Sequence, residues 1–222
     1  MPCTNHRALT SLPNQVVKPE IRHNLPPDAS RFGEYLRAGI ILIFLFGVVF
    51  YGADFIAAMR AERFKLYFAW EREIPFLPIA YVVYYSVVLL PLLVSVLVPT
   101  AARIRRWRNR MSATLVIAGA IFLLLPTEVG FDYVVDTEWS WVKQITTVVA
   151  GRYNLVPSLH VALTVVTLLT LWPLVGRVSK GLFMAWAVAL ALSTLLTHQH
   201  HVLDVAAGLL LGALVCRRVS LD

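Results

Sequence analysis

Two polar islands interrupt apolar sequence near the end of this 222-residue chain: Pro157-Ser158-Leu159-His160, and Gln199-His200-His201-Val202-Leu203-Asp204. Imidazole and carboxylate are costly at the mouth of a membrane-length apolar run unless they do chemistry or find partners. On a helix, His200 and Asp204 are one turn apart, so the carboxylate can hold one ring nitrogen and fix the tautomer. The other nitrogen is then free to attack. With His160 as a second imidazole able to protonate a leaving group, the set suits phosphoryl transfer through a covalent phosphohistidine.

The elements that must position these groups are membrane helices. The chain is 58% hydrophobic and only 15% charged, too apolar for an ordinary soluble domain. A polar, proline-rich tail over 1–36 reads as disordered or surface-lying, not as a cleaved signal peptide. Apolar runs follow at about 37–58, 76–98, 111–126, 159–176, 181–197 and 202–216, which predicts an all-α, integral membrane six-helix bundle over 37–218. The net charge of +7 does not indicate a nucleic-acid partner, because the basic residues flank apolar segments instead of forming a stripe. Fourteen Lys and Arg fall in the tail, 99–110, 177–180 and the C-terminus, against six on the alternate segments, so both termini are expected in the cytoplasm. His160, His200 and Asp204 then share the outer face. The segment Arg60 to Pro75 mixes aromatics with charges and is expected in the interface, as one wall of a lipid entrance. Cys3 and Cys216 have no pairing or metal-clamp spacing and read as free thiols. Compact size and the lack of a transit peptide fit a bacterial inner membrane, with the site on its periplasmic side.

These residues together resemble the type 2 phosphatidic acid phosphatase superfamily of membrane lipid phosphatases and phosphotransferases, over about residues 75–216. Pro157, Ser158 and His160 meet its Pro-Ser-x-His motif, and His200 and Asp204, followed by Gly208, meet its His-x-x-x-Asp motif. Tyr153-Asn154 ahead of the first motif and Gln-His-His in the second are most similar to the inositol phosphorylceramide synthase and sphingomyelin synthase side of the group. The resemblance implies a six-helix bundle and a phosphorylated lipid as substrate. It further implies His200 as nucleophile, Asp204 as its partner, His160 as acid toward the leaving group, Ser158 as a phosphate-oxygen ligand with Asn154 beside it, and no metal or other cofactor.

Two family features are missing. The phosphatases carry Lys-x6-Arg-Pro and a Ser-Arg pair ahead of the nucleophile; here Leu125 to Asp132 and Ser193-Thr194 occupy those places. A threonine cannot reproduce the planar fork of an arginine. Arg152, six residues before Ser158, and Lys143 are the candidate replacements for phosphate binding. Glu128 and Asp132 would repel phosphate, but suit an amine or hydroxyl-rich headgroup or can orient Arg152. Other readings stay open at this level. Ser158 can be a helix N-cap, and His198 and His201 interface residues. The cluster His198, His200 and His201 can also be a metal site. The whole chain can be an inactive lipid-binding relative, or a small transporter using Asp54.

Overall fold

The computed structural model describes residues 30–131, 140–149 and 151–219, without the side chains of Ser140, Lys143, Thr147 and Val148. Regular structure among them is helical, apart from one isolated parallel bridge between Phe64 and Thr127. Helix α1 (Ser30–Phe46) continues through a π turn, Gly47–Tyr51, into α2 (Gly52–Ala58). Helix α3 (Ala80–Tyr85) passes through a 3-10 turn, Ser86–Val88, into α4 (Leu89–Leu97). The 3-10 turn sits where Pro91 requires it, since proline has no N–H and its ring crowds the carbonyl four residues earlier. Then follow α5 (Ala101–Leu124), α6 (Ser140–Val149), α7 (Leu159–Leu171), α8 (Arg177–Leu196) and α9 (Val202–Arg218).

Three of these rods are long and apolar enough to cross a membrane: Ser30–Ala58, Ala80–Leu97 and Arg177–Leu196. They mark an integral membrane protein. At about 1.5 Å per residue, the 18 residues of the shortest rod span about 27 Å, close to a hydrocarbon core. Their outward faces are apolar, with Ile40, Ile43, Phe44, Val82, Val96, Val178 and Leu182 exposed, a surface that water would not tolerate over such an area.

The architecture departs from six equal spans in several ways. Helix α1 begins at Ser30, inside the segment read as tail, while residues 1–29 lie outside those described. The basic segment 99–110 is not a loop but the first half of α5, whose N-cap Thr100 accepts a bond from the Arg103 amide. There the buried Glu34 of α1 gathers Arg105 at 3.8 Å, Arg37 at 4.0 Å and Arg108. Helix α7 is only 13 residues long, because Pro173 converts its end to a 3-10 turn, Trp172–Leu174. Helix α6 is an addition. Ten residues are too few to span; Val142 and Thr146 face inward, whereas Trp141, Ile145 and Val149 are exposed.

The core lies between α1, α5, α7 and α9. Phe50, Leu115, Ala118, Phe122, Leu159, Ala162 and Leu211 fill one cluster, and Val94, Ile104, Trp107, Val166 and Leu171 fill another toward the opposite end. Trp107 also donates from Nε1 to Thr167 Oγ1 at 3.0 Å, tying α5 to α7. Helices α7 and α9 approach most closely at Gly208 and Gly212. A Cβ on Gly208 would stand 2.6 Å from the Ser158 carbonyl oxygen, and one on Gly212 would stand 2.8 Å from that of Ala162. Small residues therefore set the separation of the two helices whose ends carry the polar islands.

Candidate active site

Helix α8 ends at Leu196, and the chain reverses over five residues before α9. The Gln199 and His200 amides both donate to the Thr194 carbonyl, at 3.0 and 3.1 Å, and His198 takes a left-handed backbone with φ +56°. Ser193 and Thr194 thus shape the turn, and their hydroxyls bond back to Leu190 and Ala191 carbonyls of their own helix. His200 is not on the helix with Asp204, as the spacing suggested, but in the turn before it. The contact survives because α9 starts at Val202 and aims its first carboxylate back across its own N-terminus.

Asp204 is 1% exposed and its Oδ2 accepts from the His201 amide at 2.8 Å. The same oxygen lies 3.3 Å from His200 Nδ1. An ionised carboxylate only accepts, so Nδ1 carries the proton and Nε2 of His200 keeps its lone pair. The Ser158 amide donates to the Asp204 carbonyl at 3.0 Å, which docks the start of α7 onto α9. His160 opens α7, and its ring centroid is 6.0 Å from that of His200. An attacking nitrogen about 3–3.5 Å from phosphorus and a proton donor about 3 Å from the leaving oxygen together require a separation of this order.

Both rings line a cavity of about 710 Å³ together with Phe46, Phe50, Tyr84, Arg152, Asn154 and others. It reaches the surface beside Val88 and Val149, both exposed on the apolar exterior, and beside the exposed Arg152. Ser158 occupies the N-cap position of α7, yet its side chain makes no capping bond. Its Oγ, fully buried, has no hydrogen-bond partner among the described residues, and neither has Asn154 Oδ1. The amide nitrogen of Asn154 donates to the Phe50 carbonyl at 2.6 Å, inside the π turn. A π turn displaces backbone acceptors from the regular ladder, which is how a carbonyl there becomes available.

Arg152 sits on a loop held by Asp54, whose Oδ1 accepts from the Arg152 and Tyr153 amides, both at 2.9 Å. Gly151 takes φ +71° at that point, and a Cβ there would meet Asp54 Oδ1 at 2.9 Å. Asp54 is therefore an anchor for the strand of chain leading into Ser158, a role its position near a span end did not suggest. Lys143 lies on α6, but its side chain is outside the described residues, as is Asp132.

The largest feature missed in the sequence is Glu71. The segment 61–68 is extended and ends in a 3-10 turn, Ala69–Glu73, that carries Glu71 to complete burial. Its Oε1 accepts from the Phe68 amide at 2.9 Å, and its Oε2 accepts from the Val202 amide at 2.8 Å and from His201 Nδ1 at 3.1 Å. Nε2 of His201 accepts from the Gly130 amide at 3.0 Å, so His201 is the neutral Nδ1–H tautomer. Burial pushes its pKa below the usual value and outweighs the pull of the Asp204 and Glu71 carboxylates. Tyr67 and Phe131 stack on the His201 ring at 4.8 and 4.5 Å, and Phe131 also stacks on His198 at 3.9 Å. His198 and His201 are thus buried packing and bonding residues, not interface residues. With both nitrogens committed, His201 has no lone pair to offer a metal. A glutamate in an aromatic, charged segment reads as surface, and only its long-range partners distinguish it.

The sequence profile of the PAP2 superfamily matches residues 62–217, which takes in both polar islands, the Glu71 turn and the helices that hold them. The chain belongs to the PAP2 superfamily. No curated protein is a significant match to it. Membership implies a metal-independent phosphatase or phosphotransferase acting on phosphate esters. Glu128 lines the cavity but is neutralised by Lys65 at 3.3 Å and Arg63 at 3.6 Å, so it does not stand as a bare repelling charge. Arg63 further lies over the Tyr153 ring at 4.2 Å. Two cations from the 62–65 segment, Arg63 and Lys65, therefore gather at Glu128 beside this wall of the cavity.

Proposed function

We propose that this PAP2 protein is a membrane-embedded lipid phosphate phosphatase working through a phosphohistidine. The observation that carries the reading is the pairing of His160 and His200 across 6.0 Å on one wall of a cavity that opens beside exposed apolar side chains. A lipid phosphate enters laterally past Val88 and Val149 and places its phosphoryl group between the rings. His200 Nε2 attacks phosphorus, the bond from phosphorus to the lipid oxygen breaks, and His160 delivers the proton that oxygen needs. Asp204 stabilises the charge that develops on His200. Water, activated by the now neutral His160, then cleaves the nitrogen–phosphorus bond and releases phosphate. The Ser158 hydroxyl and the amides at the start of α7 favour the phosphate anion, and Arg152 at the rim supplies a positive charge. Asn154 Oδ1 is placed to accept from a headgroup hydroxyl.

In this reading six helices cross the bilayer, with the Arg103 to Arg110 face in the cytoplasm and the histidines at the outer boundary. The absent phosphatase arginines and the Gln199-His200-His201 context favour a second reading, in which an alcohol resolves the intermediate and the product is a new headgroup ester of the inositol phosphorylceramide synthase type. One experiment separates the two. Purified protein is incubated with radiolabelled lipid phosphates, with and without inositol or other alcohol acceptors, and free phosphate, new lipid and acid-labile phosphoprotein are measured. Free phosphate and a labile adduct are expected; new lipid only with acceptor moves the assignment to transferase, and no adduct with any substrate removes both.

A further inference from the structure

Tyr81, Tyr84 and Tyr85 share one short helix, α3, yet their hydroxyls have different fates. Tyr81 donates to the Thr197 carbonyl at 3.4 Å and accepts from Gln199 Nε2 at 3.2 Å. Tyr85 bonds Thr146 Oγ1 of α6. Tyr84, whose ring packs against both, is 1% exposed, and its hydroxyl has no hydrogen-bond partner among the described residues. Its ring stacks on His160 with centroids 4.2 Å apart and planes at 29°, and it lines the same cavity as His160 and His200.

A buried hydroxyl without a partner is destabilising, because it gives up its bond to water and gets nothing back. Phenylalanine would supply the same stacking surface and the same volume without that loss. The gain from the Tyr84 oxygen must therefore come from a bound molecule. We propose that Tyr84 is a substrate-binding residue whose O–H donates to a non-bridging oxygen of the phosphoryl group held between His160 and His200. The proposal rests on the phosphohistidine reading. As His200 forms its bond to phosphorus and the lipid oxygen leaves with the proton from His160, negative charge persists on the non-bridging oxygens; the Tyr84 bond strengthens without transferring its proton. A donor fixed beforehand in an enclosed site needs no reorganisation as the reaction proceeds.

Tyr84→Phe, Tyr81→Phe and Tyr85→Phe in the purified full chain provide the test. Each is assayed by thermal unfolding, by affinity for orthovanadate, which mimics a phosphoryl group in transfer, and by phosphate release from lipid phosphate. Tyr84→Phe is expected to unfold at the wild-type temperature or above it, while binding orthovanadate and turning over about 10- to 100-fold less well. Tyr81→Phe and Tyr85→Phe, which each break an existing bond, are expected to unfold at lower temperature. Wild-type vanadate affinity and turnover in Tyr84→Phe, beside a dead His200→Ala, overturn the proposal and leave the phosphohistidine reading intact. A fall in unfolding temperature for Tyr84→Phe matching that of Tyr81→Phe also overturns it. If the wild type binds no orthovanadate and forms no labile phosphohistidine, both fall together.

Discussion

His200 and His201 are neighbours in the chain and opposites in their surroundings. His201 has a carboxylate on one nitrogen, a backbone amide on the other and two aromatic rings stacked against it. His200 has a carboxylate on one nitrogen and lines a cavity shared with His160. The same split runs through the molecule. Around His201 the polar atoms of Glu71 and Asp204 are satisfied, whereas Asn154 Oδ1 and the Tyr84 hydroxyl, of residues that line the cavity, and Ser158 Oγ, two residues before His160, have no partners among the described residues. Closed networks make a rigid support, and open groups cost stability unless a ligand completes them. The contrast separates the scaffold from the cavity where the reaction is proposed to take place, with no reference to motif.

The contrast breaks first at His200. His200→Ala is expected to remove turnover to background while the protein still elutes as a folded particle in detergent; surviving activity or labelled phosphoprotein in that variant would place the nucleophile elsewhere. His160→Ala is expected to lower turnover by about 10²–10⁴-fold. The loss should be greatest with poor leaving groups, and equal losses across a leaving-group series would remove the acid role. On the support side, Glu71→Ala strips three N–H donors, one buried and two part-buried, of their acceptor and is expected to lower stability by about 3 kcal/mol, read from thermal or denaturant unfolding. A stable, fully active Glu71→Ala would show that the closed network supports nothing. Gly208→Ala forces a methyl to within 2.6 Å of the Ser158 carbonyl and is expected to cost about 1–3 kcal/mol. Because the displacement parts α7 from α9, its turnover should fall further than its stability.

The smallest effect is with pH. The folded pKa of His201 lies below the ordinary value of about 6.5, so the unfolded chain binds the proton more readily. Stability from this residue is then complete above about pH 6.5 and is lost as the pH falls from there through the folded value, when protonation ends the bond from the Gly130 amide. Unfolding temperatures compared between pH 7.5 and 5.5 should fall in the wild type and fall less in His201→Gln. Equal slopes in the two proteins would assign the acid sensitivity to other groups.

How much of this was legible beforehand depended on the range of the interaction. His160, His200 and Asp204 could be paired from the sequence because their chemistry is local or carried by short motifs, and the apolar runs located most of the rods. The 101–110 half of α5 was obscured because arginine forms helix well yet reads as loop in a hydropathy profile. Helix α6 was obscured because its ten residues are amphipathic and too short and too polar on average to stand out as a membrane-length apolar run. Glu71 gave no signal at all, since its partners Val202 and His201 lie 131 and 130 residues away.

The sequence alone determined the class of the protein and the kinds of group that can attack, protonate and orient, because hydropathy and side-chain chemistry belong to residues one at a time. Tertiary structure alone decided which of those groups are closed off and which stay open. Whether a nitrogen or a hydroxyl keeps its lone pair or its proton for a substrate depends on what packs against it. Here that was settled by Glu71, Gly130 and Phe131 around one histidine, and by Tyr84 beside the other island, brought together from distant segments by helices meeting at two glycines.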